Sequence, residues 1–352
     1  MSAPRVRTGI TVPTIPAPPP IAKSAIAAAK EWCAKGYEEI WLAEVNTGDA
    51  YALAGALSQA VPGVRIGVGV TPLLTRTPFI HAMAGATLHE LTDGNFALGL
   101  GISSENIVRD WGGQPYDKPL TRMREYLQVV RGALAGEKVN FEGKTLNASK
   151  LRLANKLEGK VPIYLGALNP GMLRLAGALA DGVVLNMVPE SALPQVLGEV
   201  RKGAEEAGRD PGELEVIARL HVFVSDNLEQ GRGLVKMSFG PYAATAGYNK
   251  FFRWAGMEDE AEGVLTAFQK GDRQGVAAAM TDRLCDAIGV VGPEEHVKAR
   301  IRAYAEGGVD VCVVNPVSPS PDLQRRVLES LANVTDGIQV TERGVMRATK
   351  GS

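Results

Sequence analysis

Short unbroken apolar runs recur along the chain, and each gives way to a stretch whose apolar positions fall three and four residues apart. The first run, RTGITV, leads into the alanine-rich IAKSAIAAAKEWCAKG, which stops at Gly36, a residue suited to closing a helix. EEIWLAE (38–44) leads to AYALAGALSQA, VRIGVGV to PFIHAMAGATLHELTDG, and NFALGLG (95–101), after a loop, to PLTRMREYLQVVRGALAG. VPIYLGA (161–167) leads to PGMLRLAGALADG, and GVVLNMV (182–188) to ALPQVLGEVRKGAEEAG. LEVIARLHVFV (214–224) leads to a long helical region, and VDVCVVNPV (309–317) to DLQRRVLESLANV. Strands apolar on both faces that alternate with helices belong to a parallel sheet. Eight such units predict closure into a (β/α)8 TIM barrel, with a doubly wound open sheet as the rival that the count disfavours.

Two stretches interrupt the repeat, and both are expected at the C-terminal rim of the barrel: a loop insertion at 102–120 and a helical insertion at about 228–291. The second crowds Phe239, Tyr242, Tyr248, Phe251, Phe252 and Trp254 together. These aromatics read either as a lid on the substrate side or as packing that fastens the insertion to the barrel. The expected organisation is one barrel domain over residues 1–334, followed by an extension, 335–352, that loses its apolar period.

Composition narrows the chemistry. The chain has 352 residues, 45% hydrophobic and 22% charged, so a large core is available. A net charge of −1 without long Lys/Arg blocks makes nucleic acid and anionic membranes poor partners. Cys33, Cys285 and Cys312 stand far apart, which suits a reducing cytosol and gives neither a disulfide framework nor a metal site. The N-terminal segment lacks the apolar stretch of a signal peptide, and no run approaches a membrane span, so a soluble cytoplasmic protein is expected. His81, His89, His221 and His296 have no metal-ligand spacing, and His81 and His89 fall inside a helical pattern where packing or capping explains them. There is no GxSxG elbow, and GLGISSE lacks the third glycine of a dinucleotide fingerprint. A chain without its own acid–base set leaves the hard chemistry to a cofactor.

In a barrel the reactive end lies at the C-terminal edge of the strands. Those edges offer Glu44, Val45 and Asn46; Gly69, Val70 and Thr71; Ser103, Ser104, Glu105 and Asn106; Gly166, Ala167, Leu168 and Asn169; and Asn186 with Met187. Small residues and amides with few carboxylates suit a flat, polar-edged heterocycle better than bond cleavage. Asn169 at a helix N-cap with Pro170 behind it makes either an ordinary capped helix or a cradle of backbone N–H groups for a phosphate. Gly67 and Gly69 lie inside a short strand, where glycine marks a bulge or the close approach of another body. Arg122, Arg124 and Glu125 read as charge pairs on a helix face. Trp111 and Tyr116 sit on a rim loop, open to burial or to substrate contact.

The segments GVGVTPLLTRTP, LHELTDGNFALGLGISSENIVRDWGG, DKPLTRMREYLQVVRGALAGEKVNFEGKTL, PIYLGALNPGMLRLAGALADGVVLNMV and VGPEEHVKARIRAYAEGGVDVCVV resemble the bacterial luciferase-like superfamily. Within it they resemble the actinobacterial oxidoreductases that use the deazaflavin coenzyme F420, over roughly residues 5–330. The resemblance implies a non-proline cis peptide at Gly69–Val70, in a bulge that backs onto the central ring and, with Thr71, binds the cofactor. It implies that Glu44 contacts the deazaflavin head, and that Gly166, Ala167 and Asn169, with Asn186 and Met187, hold its phosphate. Ser103, also implied among the cofactor's contacts, and Ser104 match the substrate-side loop where relatives carry a catalytic glutamate, here Glu105, displaced by one position. The implied catalytic set is therefore Glu44, Ser104 and Glu105. Val45 stands where sugar-phosphate-oxidising relatives have a histidine, which argues against an alcohol oxidation with a histidine base. The implied activity is hydride transfer between F420 and a small-molecule substrate by a homodimer, without a metal. The alternatives are an FMN-dependent monooxygenase and a non-catalytic flavin-binding relative.

Overall fold

All eight apolar runs become strands of one sheet, and the sheet closes on itself. The computed structural model describes residues 5–13, 20–154, 156–318 and 320–339. The barrel strands are β1 (Arg7–Val12), β2 (Glu39–Leu42), β3 (Arg65–Val68), β4 (Phe96–Gly101), β5 (Ile163–Gly166), β6 (Gly182–Asn186), β7 (Glu215–Val224) and β8 (Val311–Pro316). Each pairs in parallel with the next, and β8 returns to β1. Closure excludes the open-sheet rival.

The ring of helices begins with α1 (Ile21–Ala34), α2 (Ala50–Ala60), α3 (Pro78–Leu91), α4 (Pro119–Leu134), α5 (Pro170–Leu179) and α6 (Leu193–Glu206). Local chemistry sets their ends. Asp49 caps α2 by accepting from Ala52 N, Thr77 caps α3 ahead of Pro78, and Gly36 follows α1 with φ at +114°. After β7 come α7 (Leu228–Ala243), α8 (Ala246–Trp254), α9 (Glu258–Gln269), α10 (Arg273–Ala279) and α11 (Asp282–Ile288). A short strand, Val290–Gly292, then adds in parallel to the end of β7, and α12 (Glu294–Glu306) and α13 (Pro321–Leu331) flank β8.

Inside the barrel the side chains stack in layers. At the N-terminal end Arg7, Arg65, Glu39 and Glu215 form a closed ionic plug: Arg7 Nη1 lies 2.8 Å from Glu39, and Arg65 reaches Glu39 at 3.2 Å and Glu215 at 2.8 Å. Arg7 and the Tyr164 hydroxyl also bond Glu215. Burial pushes the Glu215 carboxyl up, but Arg65 and Arg7 outweigh it and hold the group down at about 2. Above the plug lies an apolar layer of Trp41, Ala97, Tyr164, Val184, Ile217, Val311 and Val313. Trp41 fills it, anchored by its Nε1 on Glu39 Oε2 at 2.8 Å.

The eight-unit reading assigned nothing between α4 and β5, where a hairpin pairs Val139–Glu142 with Asn147–Leu151. Glu125 belongs to it: its carboxylate accepts from Lys144 N at 2.6 Å and Thr145 N at 2.9 Å, so it pins the hairpin turn rather than pairing along α4. Arg122 bonds Asp117 ahead of the helix. A surface depression between α4 and the hairpin is lined by Leu120, Arg124, Glu125 and Phe141, on the outer side of the ring. Residues 335–339 fold back on the first strand, with Val6 N donating to Ile338 O at 3.1 Å, and Thr335 and Thr8 sharing a buried hydroxyl bond of 2.7 Å. The rest of the C-terminal extension, 340–352, lies outside the described residues. Among the described residues no helix is long and apolar enough to cross a membrane.

Candidate functional site

The C-terminal ends of the strands form a mouth whose floor begins at β3. The Gly69–Val70 peptide bond is cis. Gly69 N donates to Leu42 O at 2.6 Å, and Val70 O accepts from Glu44 N at 3.4 Å. The Val70 side chain turns inward onto β4 and β5: a Cβ at Gly166 would stand 3.2 Å from both of its methyls, and one at Gly101 would overlap it outright. Glycines on those strands therefore seat Val70. At Gly67 the body that comes close is Trp41, 2.6 Å from where a Cβ would be, and not a ligand. Gly69 and Val70 keep partial exposure, so their backbone forms part of the open floor.

Beside this floor Glu44 is already engaged. Arg76 Nη2 donates to its Oε1 at 2.6 Å, and Thr71 Oγ1 donates to its Oε2 at 2.6 Å. Arg76 also reaches Asp49 and lies over the Tyr51 ring, 4.9 Å from the centroid. The acid expected to contact a ring thus works first as a brace for the turn that carries Thr71. Arg76, absent from the sequence-derived set, is what holds it.

The loop after β4 departs further from expectation. Ser103 takes φ of +64°, and its carbonyl accepts from the Tyr116 hydroxyl at 3.0 Å. Ser104 Oγ donates to Asn106 Oδ1 at 2.6 Å. Glu105 pairs with Arg109 four residues on, both more than half exposed, at 52% and 57%. Glu105 stands immediately before the six-residue π-helical turn Asn106–Trp111 and pairs with Arg109 on it, so the expected catalytic carboxylate stands in solvent.

Across the mouth, Gly166 and buried Ala167 lead to Asn169 at the start of α5. Asn169 occupies the N-cap position without capping: its Nδ2 donates to Gly247 O at 3.0 Å, tying α8 to the rim, and its Oδ1 is buried without a partner among the described residues. In the first turn of α5 Pro170 has no N–H and the Met172 and Leu173 amides donate to Asn169 O at 2.9 and 3.0 Å, so Gly171 N is the amide there with no partner among the described residues. Asn186 and Met187, expected beside a phosphate, do other work. Met187 is packed in the core at 2% exposure, and Asn186 is a hydrogen-bond bridge.

That bridge belongs to a wire of side chains. Asn315 Nδ2 can only donate, so His221 Nδ1, 2.7 Å away, accepts; His221 Nε2 then donates to Asn186 Oδ1 at 2.9 Å. Asn186 Nδ2 donates to the Tyr248 hydroxyl at 2.6 Å. Burial and the neighbouring Arg219 push the His221 pKa well below its ordinary value, which keeps the ring neutral. Burial raises Tyr248, against the pull of Asn186 and Arg219, so its hydroxyl stays protonated. Arg219, one step below His221 on the same face of β7, donates from Nε to Thr11 Oγ1 at 3.1 Å.

His221, Arg219 and Asn315 were missed because β7 and β8 read as strands apolar on both faces. A signal was present: in LEVIARLHVFV the polar residues 215, 219 and 221 fall at even spacing, on one face of a strand. Tyr248 carries no signal of its own within the crowd of aromatics in the insertion. His81 and His89 are packing residues: His81 bonds Tyr51 and Leu73 O, and His89 bonds Glu158 O. Among the described residues no His, Cys, Asp and Glu cluster is placed to hold a metal ion.

Comparison with known proteins places the chain. A 5,10-methylenetetrahydromethanopterin reductase of Methanolobus tindarius is 30% identical over 292 residues, covering 82% of this chain and 89% of the relative. An F420-dependent glucose-6-phosphate dehydrogenase of Nakamurella multipartita is 29% identical over 276 residues, covering 77% and 76%. Among solved structures, the coenzyme F420-dependent tetrahydromethanopterin reductase of Methanopyrus kandleri superposes with a TM-score of 0.76 at 23% identity, covering 94% of this chain and 98% of that one. The model of the luciferase-like monooxygenase family matches residues 6–311, nearly the whole barrel, and the chain belongs to that family.

Proposed function

We propose that the chain is an oxidoreductase that binds coenzyme F420 across the barrel mouth and moves the proton that accompanies hydride transfer through Tyr248. Relatives named for F420 support the cofactor, and the residues present fit it. The partly exposed Gly69–Val70 backbone, braced by Thr71, Glu44 and Arg76, offers a flat wall for a ring. The start of α5, next to Gly166 and Ala167, offers the Gly171 N–H to a phosphate, and the buried Asn169 Oδ1 there, with no partner among the described residues, would take a hydroxyl donor. When bound, the deazaflavin supplies or accepts a hydride at C5.

The observation that carries the reading is the wire from Asn315 through His221 and Asn186 to Tyr248. It fixes one hydroxyl at the mouth with its oxygen held by Asn186 and its proton committed to no described acceptor. A tyrosine so held can give that proton to a substrate oxygen or nitrogen, or take one back. Ser103 and Ser104 line the same opening and would orient substrate, while exposed Glu105 is left out of the proton path. The reading treats residues 1–334 as one barrel unit. It includes a homodimer, for which the exposed Phe79, Ile80, Met83 and Leu91 of α3 offer an apolar face.

The test is a titration of purified protein with F420 and with FMN, followed by fluorescence quenching and then by anaerobic turnover with candidate donors. F420 should quench saturably at one site per chain. Tight FMN binding with indifference to F420 would instead make the chain an FMN-dependent monooxygenase, and F420 binding without any turnover would make it a non-catalytic binder.

A further inference from the structure

Two arginines at the closed end of the barrel, Arg7 and Arg65, are each matched to carboxylates, Glu39 and Glu215. Arg219, at the open end, is not. Among the described residues its guanidinium makes one hydrogen bond, from Nε to Thr11, and no carboxylate bonds or faces it; the ionisable groups beside it are the Tyr248 and Tyr242 hydroxyls. Its terminal Nη groups, four N–H donors in a planar fork, are left for something else. The register sets it beside Asn186 on one side and Val313 on the other, directly under the wire that ends in Tyr248. Burial drives its pKa down to about 10, whereas burial at Arg65 is outweighed by acids and the value rises. An unneutralised guanidinium set into a protein wall costs stability, and folds keep such a charge where a ligand supplies the counter-charge.

We propose that Arg219 is an anion seat in the mouth, taking a delocalised oxyanion in the two-pronged manner of a guanidinium with a carboxylate. The proposal rests on the reading that the mouth is the reaction site. The oxyanion has two possible sources: a substrate carboxylate, or the pyrimidine edge of the reduced deazaflavin. The first makes the substrate class a small organic acid whose reacting atom lies near Tyr248. Arg219 and Tyr248 then divide the work, one holding charge and the other moving a proton.

Three measurements on wild type, Arg219→Met and Arg219→Lys decide it. Without ligand, removing the unneutralised charge should raise the melting temperature of the Met variant by about 2–4 °C or more, while the Lys variant stays near wild type. A Met variant that melts below wild type or fails to fold makes Arg219 a packing residue and overturns the proposal. In the second measurement, sodium benzoate should stabilise wild type against heat, and at least tenfold more of it should be needed in the Met variant if the seat takes a substrate carboxylate. In the third, if the seat takes the pyrimidine, a tenfold loss of preference for the reduced form lowers the potential of bound F420 by about 30 mV in the Met variant. Either response supports the seat and names its occupant; neither response overturns it. Should F420 not bind wild type at all, the cofactor reading falls, and the melting and benzoate measurements still decide Arg219.

Discussion

Replacing Gly67 by alanine separates two explanations of the glycines in β3. The new Cβ would stand 2.6 Å from Cε3 and 2.7 Å from Cδ2 and Cζ3 of Trp41. Carbon atoms pack at about 3.5–4.0 Å, so the indole must retreat by about 1 Å. It has little freedom to do so: Trp41 is 2% exposed, its Nε1 is held by Glu39, and its ring stands edge-on to Tyr164 at 5.8 Å. Overpacking of a filled core costs about 1–3 kcal/mol, and pinning on two sides puts this case near 3. Trp41→Phe alone opens part of the indole volume at about 2 kcal/mol. The phenyl ring leaves room for the new methyl, so the double variant should cost about 3 kcal/mol where additivity requires about 5, a coupling of about 2 kcal/mol. Urea unfolding of the four proteins measures it. Additive losses would refute the reasoning. So would a Gly67→Ala protein as stable as wild type that no longer quenches F420, because the glycine would then be reserved for the ligand.

Tyr248→Phe should lower turnover by about 10²–10⁴-fold, the usual yield of a positioned proton donor, and leave the F420 titration nearly unchanged; equal turnover removes Tyr248 from the mechanism. Glu44→Gln breaks a largely buried pair with Arg76 and should cost about 2 kcal/mol in urea unfolding, moderated by Asp49, with a smaller effect on F420 affinity. Lost affinity at unchanged stability would make Glu44 a direct ligand. The ionic plug gives an acid limit. Glu215 is depressed from 4.5 to about 2 in the folded chain, so its contribution is complete above pH 4.5 and fades as pH falls from there towards 2. That contribution amounts to about 3 kcal/mol. Unfolding free energies at pH 7 and pH 3 should show this slope in wild type and a flatter one in Glu215→Gln, and equal slopes would place the acid sensitivity elsewhere.

The barrel was legible because its signal is redundant: eight apolar runs, each with its helix, leave little freedom in how the chain closes. The hairpin at 139–151 was not, because its exposed strands carry no apolar run and depend on Glu125 to hold the turn. Site residues divide by how local their roles are. Gly69, Val70 and the start of α5 sit where strand edges put them. Asn186 looked like a ligand for phosphate, yet its amide is spent between His221 and Tyr248, partners 35 and 62 residues away. Glu105 looked like an acid in the pocket, but the π-helical turn rotates it towards Arg109 and solvent. Arg219 escaped notice because no sequence motif marks an arginine that lacks a carboxylate. Only the closed barrel shows which charges are matched.

A crystal structure of the protein soaked with F420 tests the central claim most directly. The ring should lie in the mouth against the Gly69–Val70 backbone, with the phosphate beside Gly171 N at the start of α5 and the Tyr248 hydroxyl facing the open side of the ring. A ring bound elsewhere on the chain, or a mouth closed by the protein's own side chains while F420 is bound, would contradict it.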